Sequence, residues 1–166
     1  MKKKILIIAG GYSNEREISL KTARSVYLEL KKNKKYIIDV AEPDGNFVKK
    51  INTFKPDIAF NLLHGRYGED GYIQAILESQ KIKYTHSGVL SSSLAIDKEI
   101  SKEIYIKNNI LTPKYIKFKF RDFNKKKIIQ KVQKKLKFPV VIKPINEGSS
   151  VSAVSYTHLR AHETVV

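Results

Sequence analysis

Apolar and polar positions follow two alternating rhythms between residues 3 and 85. Unbroken apolar runs such as Ile5-Leu6-Ile7-Ile8-Ala9 are bounded by lysines on one side and Gly10-Gly11 on the other, which marks a parallel strand buried on both faces. Between the runs, apolar residues return at three- and four-residue spacing. The pattern predicts a strand over Lys3–Ala9, then a helix capped by Asn14 with Glu17 three residues on. Ile18, Ala23, Val26, Tyr27 and Leu30 form the buried stripe of that helix. Strands follow at Tyr36–Ala41, Asp57–Leu63 and Ile82–Thr85, and helices at Phe47–Phe54 and Gly71–Ser79. A βαβαβαβ succession implies an α/β fold, a parallel sheet with helices on both faces.

The rhythm then weakens. Ser87-Gly88-Val89-Leu90-Ser91-Ser92-Ser93 reads as a domain connection, so that residues 1–90 form one α/β domain and residues 91–152 the start of a second. The second part is expected to hold a helix at Asp97–Asn108, an extended piece at Lys114–Phe118, a helix at Asn124–Lys137 and a strand at Pro139–Lys143. Two helices and two strands are too few to close a core of their own.

Composition narrows the function classes. The chain has 166 residues, no cysteine and a formal charge of +16, so disulfides, thiolate metal sites and a cysteine nucleophile are excluded. No stretch has the length of a membrane span, and the short apolar run after Met1-Lys2-Lys3-Lys4 leads into glycines and charges rather than a cleavage site. A cytoplasmic protein is expected. Lysines dominate the charge excess and fall on the solvent side of helices, as at Lys125-Lys126-Lys127 beside Ile128, Ile129, Val132 and Leu136. That pattern argues against specific nucleic-acid readout, and no nucleic-acid motif is present.

The candidate chemistry gathers where strands end. His64-Gly65-Arg66-Tyr67-Gly68-Glu69-Asp70-Gly71 closes the third apolar run, and Gly10-Gly11-Tyr12-Ser13-Asn14-Glu15-Arg16 closes the first. In a parallel sheet both loops open on the same edge, where α/β proteins bind ligands. Glu15 can then hold an ammonium group while His64 and nearby backbone N–H groups hold a carboxylate, the polarity that grips an amino acid. Glu15 also suits the first turn of a helix on electrostatic grounds alone. Lys98, in Ala95-Ile96-Asp97-Lys98, and Lys143, closing Val140-Val141-Ile142-Lys143, can aim point charges at phosphate or simply reach solvent. The Glu147-Gly148-Ser149-Ser150 segment is flexible and rich in donors. Neither a GxxxxGK[ST] nor a GxGxxG loop is present.

Four stretches, GGYSNEREISL, HGRYGEDG, YTHSGVLSSSLAIDK and VVIKPINEGSSV, occur in an order and spacing that resemble the amino-terminal part of a D-alanine–D-alanine ligase, an ATP-grasp enzyme. The resemblance covers nearly all of residues 1–152. It implies a Rossmann-like, pre-ATP-grasp domain followed by the truncated start of an ATP-grasp domain. It also implies roles. Glu15 would orient the amino group of the first D-alanine, with Ser149 in the same hydrogen-bonded network. His64 and Gly65 would lie by the substrate's carboxylate. Lys98, Lys143, Glu147, Gly148 and Ser150 would contact or cover ATP. Mg²⁺ (or Mn²⁺) ligands, in the family, lie downstream of the matched residues and none is expected here. The implied enzyme makes a D-alanine dipeptide for peptidoglycan through an acyl phosphate and is commonly a homodimer, and the chain as given is expected to be inactive. Another amino- or hydroxy-acid ligase of the superfamily, or a basic binding module without catalysis, stand as alternatives. Ser152 departs from the family's usual glycine. From Val154 to Thr164 the sequence resembles, residue for residue, the translation of a transposon-type sequencing adapter. Residues 153–166 are therefore expected to be a non-native tail, with no strand or helix pattern, and His158 and His162 are given no role.

Overall fold

A computed structural model describes residues 2–119, 121, 124–147 and 154–156. Four parallel strands, β1 (Lys3–Ile8), β2 (Tyr36–Ala41), β3 (Ile58–Asn61) and β4 (Lys83–Tyr84), form one sheet in the order β2-β1-β3-β4. The helices between them are α1 (Arg16–Lys31), α2 (Phe47–Phe54) and α3 (Tyr72–Ser79). Chain order reverses direction between β1 and β3, so the loops after these two strands diverge and leave a crevice at their carboxyl ends.

Alternation along β1 feeds two cores. Leu6 and Ile8 pack with Phe47 and Ile51 of α2 and Ile73 and Leu77 of α3, whereas Ile7 and Ala9 meet Leu20, Ala23, Val26 and Tyr27 of α1. Helices thus cover both faces, and Leu6, Ile7 and Ile8 are completely buried. Strand β3 is less symmetric. Ala59 and Asn61 are buried, but Ile58, Phe60 and the following Leu62 are only half-buried, because their face is shared with the single helix α1.

Several expectations need correction. Helix α1 begins one residue later than a cap at Asn14 requires: Glu15 is the N-cap, without a side-chain capping bond. Ile18 is half exposed, and the seam position beside it belongs to the buried Ser19. The phase of a helix starting at Arg16 puts residues 19, 23, 26 and 30 on the sheet, and a polar residue in that seam hid the register. The serine-rich connection is mostly helix, α4 (Val89–Ile96). Its hydroxyls bond to neighbouring carbonyls, Ser92 to Ser87 at 3.1 Å and Ser93 to Asp70 at 2.6 Å, instead of competing with the helix.

Beyond it lie α5 (Lys98–Lys107), α6 (Lys125–Lys135), β5 (Val140–Ile142) and β6 (Val154–Tyr156). Asp97 and Asn124 cap α5 and α6 through their side chains. Residues 110–119 hold no regular element. The tail departs from expectation at one place: β6 pairs antiparallel with β5, Val141 opposite Ser155. An open strand edge offers N–H and C=O groups to any extended neighbour, so a three-residue pairing needs no side-chain pattern. The remaining tail residues lie outside those described.

Candidate functional site

Two serine hydroxyls lace the crevice at the β1–β3 reversal. Ser19 Oγ, from the buried seam of α1, accepts from Gly10 N at 2.9 Å and donates to the carbonyl oxygen of Leu62 at 2.6 Å. Six residues earlier, ahead of α1, Ser13 Oγ donates to the His64 carbonyl oxygen at 2.7 Å and accepts from Glu15 N at 3.2 Å. The first loop is thereby tied to the third strand's loop, and Glu15 and His64 open on the same sheet edge, as the parallel topology predicts.

The Glu15 side chain is turned inward. The residue is 5% exposed, and its Oε2 lies 2.9 Å from where a Cβ on Gly65 would stand. Glycine at position 65, with φ +68°, serves two ends at once: it adopts a conformation that other residues resist, and it gives the carboxylate room. Among the described residues, no hydrogen bond or ion pair to the Glu15 carboxylate is found. A carboxylate so enclosed is costly unless a cation or donors meet it.

His64 faces the neighbouring problem. Its Nδ1 lies 3.9 Å from Glu69 Oε1, while its Nε2 is buried and has no hydrogen-bond partner among the described residues. Several of the backbone amides near it are already used. Gly65 N donates to Glu69 Oε2 at 3.0 Å, and Tyr67 N to Asp70 Oδ2 at 2.9 Å. Gly68 N and Glu69 N both return to the Gly65 carbonyl. The two carboxylates of this loop thus organise its own backbone, and Gly65 contributes clearance in place of a free donor. Asn61 Nδ2 and Gln74 Nε2 both donate to the Gly68 carbonyl at 2.8 Å, fixing the loop from below. Tyr12, Tyr67 and Tyr72 link the two loops in edge-to-face contacts, with ring centroids 6.3 and 4.9 Å apart.

The lysines form a separate cluster. Lys98 opens α5, where Asp97 Oδ1 accepts from Glu99 N and Ile100 N, each at 2.9 Å. Its Nζ donates to the carbonyl oxygens of Ile145, at 3.3 Å, and Glu147. Partial burial is the main cause that lowers the Lys98 pKa, and the nearby Lys143 charge adds to it, against opposing pulls from Glu147 and Asp97. Lys98 thus lies against the Glu147 backbone and near Lys143, where burial first and the second cation next disfavour its charge. Gly148, Ser149 and Ser150 lie outside the described residues. Among the described residues, no hydrogen bond or ion pair joins this cluster to Glu15 or His64. A further cleft of about 520 Å³, lined by Gly11, Tyr12, Ser13, Arg16, Glu42, Pro43 and Asp44, lies between the loops after β1 and β2. It contains the Arg16–Glu42 ion pair at 2.7 Å.

Ser13, Ser19, Asn61 and Gln74 escaped the sequence reading. The available signal was a serine or glutamine at a helix seam position and an asparagine ending a buried strand, places where an apolar residue is the default.

Comparison with known proteins agrees with this arrangement. Residues 40–87 match the family model described as D-ala D-ala ligase N-terminus, and residues 104–164 the model described as D-ala D-ala ligase C-terminus. The chain is 64% identical over 151 residues to the D-alanine–D-alanine ligase of Pelagibacter ubique, an alignment covering 91% of this chain and 49% of the relative. The crystal structure of D-alanine–D-alanine ligase from Bacillus anthracis superposes with a TM-score of 0.76 at 34% identity, covering 95% of this chain and 50% of that one. The same enzyme complexed with ATP gives 0.71 at 35% identity, covering 87% and 48%. The chain spans about half the length of the curated relatives it matches, and it belongs to the D-alanine–D-alanine ligase family.

Proposed function

We propose that this chain supplies the first amino-acid site and part of the nucleotide site of an ATP-dependent ligase that joins two D-alanines. The observation that carries the reading is the Glu15 carboxylate, 5% exposed and without a described partner, across a glycine from a histidine whose buried Nε2 also lacks one. An α-amino acid carries the complementary ammonium and carboxylate on one carbon. Glu15 holds the ammonium of the first D-alanine, and His64 Nε2 meets its carboxylate. Ser149 is assigned to the network around Glu15 by resemblance to the family.

Lys98 and Lys143 fit the nucleotide. Burial and the neighbouring Lys143 disfavour charge on Lys98, and a phosphate placed between the two ammonium groups relieves that cost. ATP activates the first D-alanine's carboxylate as an acyl phosphate, which the second D-alanine's amine attacks with release of phosphate. The protein's part is positioning and charge neutralisation around the reacting carboxylate. Glu147, Gly148 and Ser150 begin the segment that covers the phosphates. The family resemblance assigns the divalent metal that accompanies ATP to residues other than those named here. Among the described residues no helix is long and apolar enough to cross a membrane; a place in the cytoplasm is proposed from the use of ATP.

The test is a hybrid in which residues 1–147 of this chain continue into the carboxyl-terminal half of the Pelagibacter ubique relative. It should release phosphate from ATP only with D-alanine present and yield D-alanyl-D-alanine by mass spectrometry. Folded hybrid without D-alanine-dependent phosphate release contradicts the proposal.

A further inference from the structure

We propose that Ser13 is a positioning residue that sets the spacing between Glu15 and His64 and thereby tunes the site to an α-amino acid. The inference rests on the ligase reading above and adds to it a residue that touches no substrate.

A hydroxyl has one proton to donate and lone pairs to accept with. Ser13 commits both functions to the two groups that matter: it donates to the His64 carbonyl at 2.7 Å and accepts from the Glu15 amide at 3.2 Å. The His64 carbonyl belongs to the peptide plane shared with Gly65, so tethering it fixes how the histidine leaves its strand. The Glu15 amide belongs to the N-cap of α1, so tethering it fixes where the helix starts and where the Glu15 side chain departs. Ser13 Cβ and Oγ also stand 3.5 and 3.7 Å from the place a Gly65 Cβ would occupy, so the serine packs against the same clearance that admits the Glu15 carboxylate. Ser19 makes a similar bridge, but between Gly10 and Leu62, nearer the strands. That bridge holds the sheet edge together without touching either candidate side chain's own backbone. The two serines therefore divide the work, one securing the strands and the other the distance between charges.

The experiment compares Ser13→Ala and Ser13→Thr in the hybrid ligase, reading amide hydrogen exchange together with kinetics. Ser13→Ala should speed exchange of the Glu15 amide about tenfold and raise the KM for the first D-alanine about tenfold, the worth of one hydrogen bond. The KM for ATP should stay unchanged. Ser13→Thr, which restores the hydroxyl, should return both readouts most of the way. Unchanged exchange at Glu15 would show that the bridge does not form. Faster exchange with an unchanged D-alanine KM, or equal rises in both KM values, would reduce Ser13 to an ordinary structural contact. Either outcome overturns the inference while leaving the ligase reading intact. A hybrid with Ser13 that shows no D-alanine-dependent turnover overturns the ligase reading and this inference with it.

Discussion

Residues 3–96 and residues 98–147 use the same sequence grammar and reach different ends. Both carry apolar positions at helix and strand spacing. In the first region these positions close on each other across a sheet, so that Leu6, Ile7, Ile8, Ile73 and Leu77 are fully buried. In the second, neither α5 nor α6 has a buried residue, Leu111 is 100% exposed, and Ile106 and Val141 are each 56% exposed. Periodicity states which face of an element calls for a cover; a central sheet with helices on both sides provides one, and two helices beside a three-residue strand pairing do not. The difference extends to function. Glu15 and His64 are set on a packed scaffold with cross-loop hydrogen bonds, whereas Lys98 and Lys143 belong to a region whose helices and strand β5 bury no apolar residue completely.

The sharpest way to break this comparison is to truncate one apolar side chain in each region. Leu6→Ala should cost about 2–5 kcal/mol in urea unfolding, the usual loss for emptying a buried leucine site. Ile106→Ala should stay within about 0.5 kcal/mol, as exposed substitutions do. Equal losses would mean that the second region has a core of its own. Ser19→Ala comes next. It leaves the Gly10 amide and the Leu62 carbonyl without their partner at a buried seam, and a loss of about 1–3 kcal/mol is expected. A neutral result would show that the two strand ends hold together without it.

A pH series sharpens the nucleotide side. The Lys98 pKa lies below the ordinary lysine value of 10.5, first through desolvation and then through Lys143. Folding therefore disfavours its charged form. This penalty on stability is fully present below the folded pKa and is relieved as pH rises between the folded and unfolded values. A phosphate that binds the charged form must weaken as pH rises through the folded pKa. The KM for ATP in the hybrid should consequently climb on the alkaline side, and Lys98→Arg should flatten the climb because arginine keeps its charge. A flat profile with Lys98 in place would remove it from phosphate binding. The smallest effect is expected at the end of the chain. Deleting residues 153–166 removes only β6 from the described elements, and thermal stability should change by no more than about 0.5 kcal/mol. A larger loss would make the β5–β6 pairing a working part of the fold.

Much of the first region is legible because its strands are apolar runs and its helices return apolar residues at three- and four-residue spacing. The runs at Ile5–Ala9 and Ile58–Leu63 are enough to place the crevice, since parallel strands point their carboxyl ends the same way. Polar residues in buried places were illegible. Ser19 interrupts the α1 stripe and leaves Ile18 as the apparent seam residue, the Asn14–Glu17 spacing suggests a cap one residue early, and the serines at 91–93 resemble a break where they are helix. Their hydroxyls find carbonyl partners in three dimensions, Asp70 for Ser93 and Leu62 for Ser19, and no spacing rule announces such partners. The same limit applies at the site. Glu15, His64, Lys98 and Lys143 are candidates by chemistry and place, but that the loop's own carboxylates take the Gly65 and Tyr67 amides depends on a backbone turn that sequence does not display.

The central claim is that the two regions hold different reactants, and a split in Michaelis constants tests it most directly. Glu15→Gln and Lys143→Ala would be compared in the hybrid ligase. Glu15→Gln should raise the KM for the first D-alanine about thirtyfold or more, the usual penalty for leaving a buried charge unpaired, with the KM for ATP unchanged. Lys143→Ala should raise the KM for ATP and spare D-alanine. If Glu15→Gln left the D-alanine constants untouched, or if both variants weakened both reactants alike, the division of labour between the packed sheet edge and the lysine pair would be wrong.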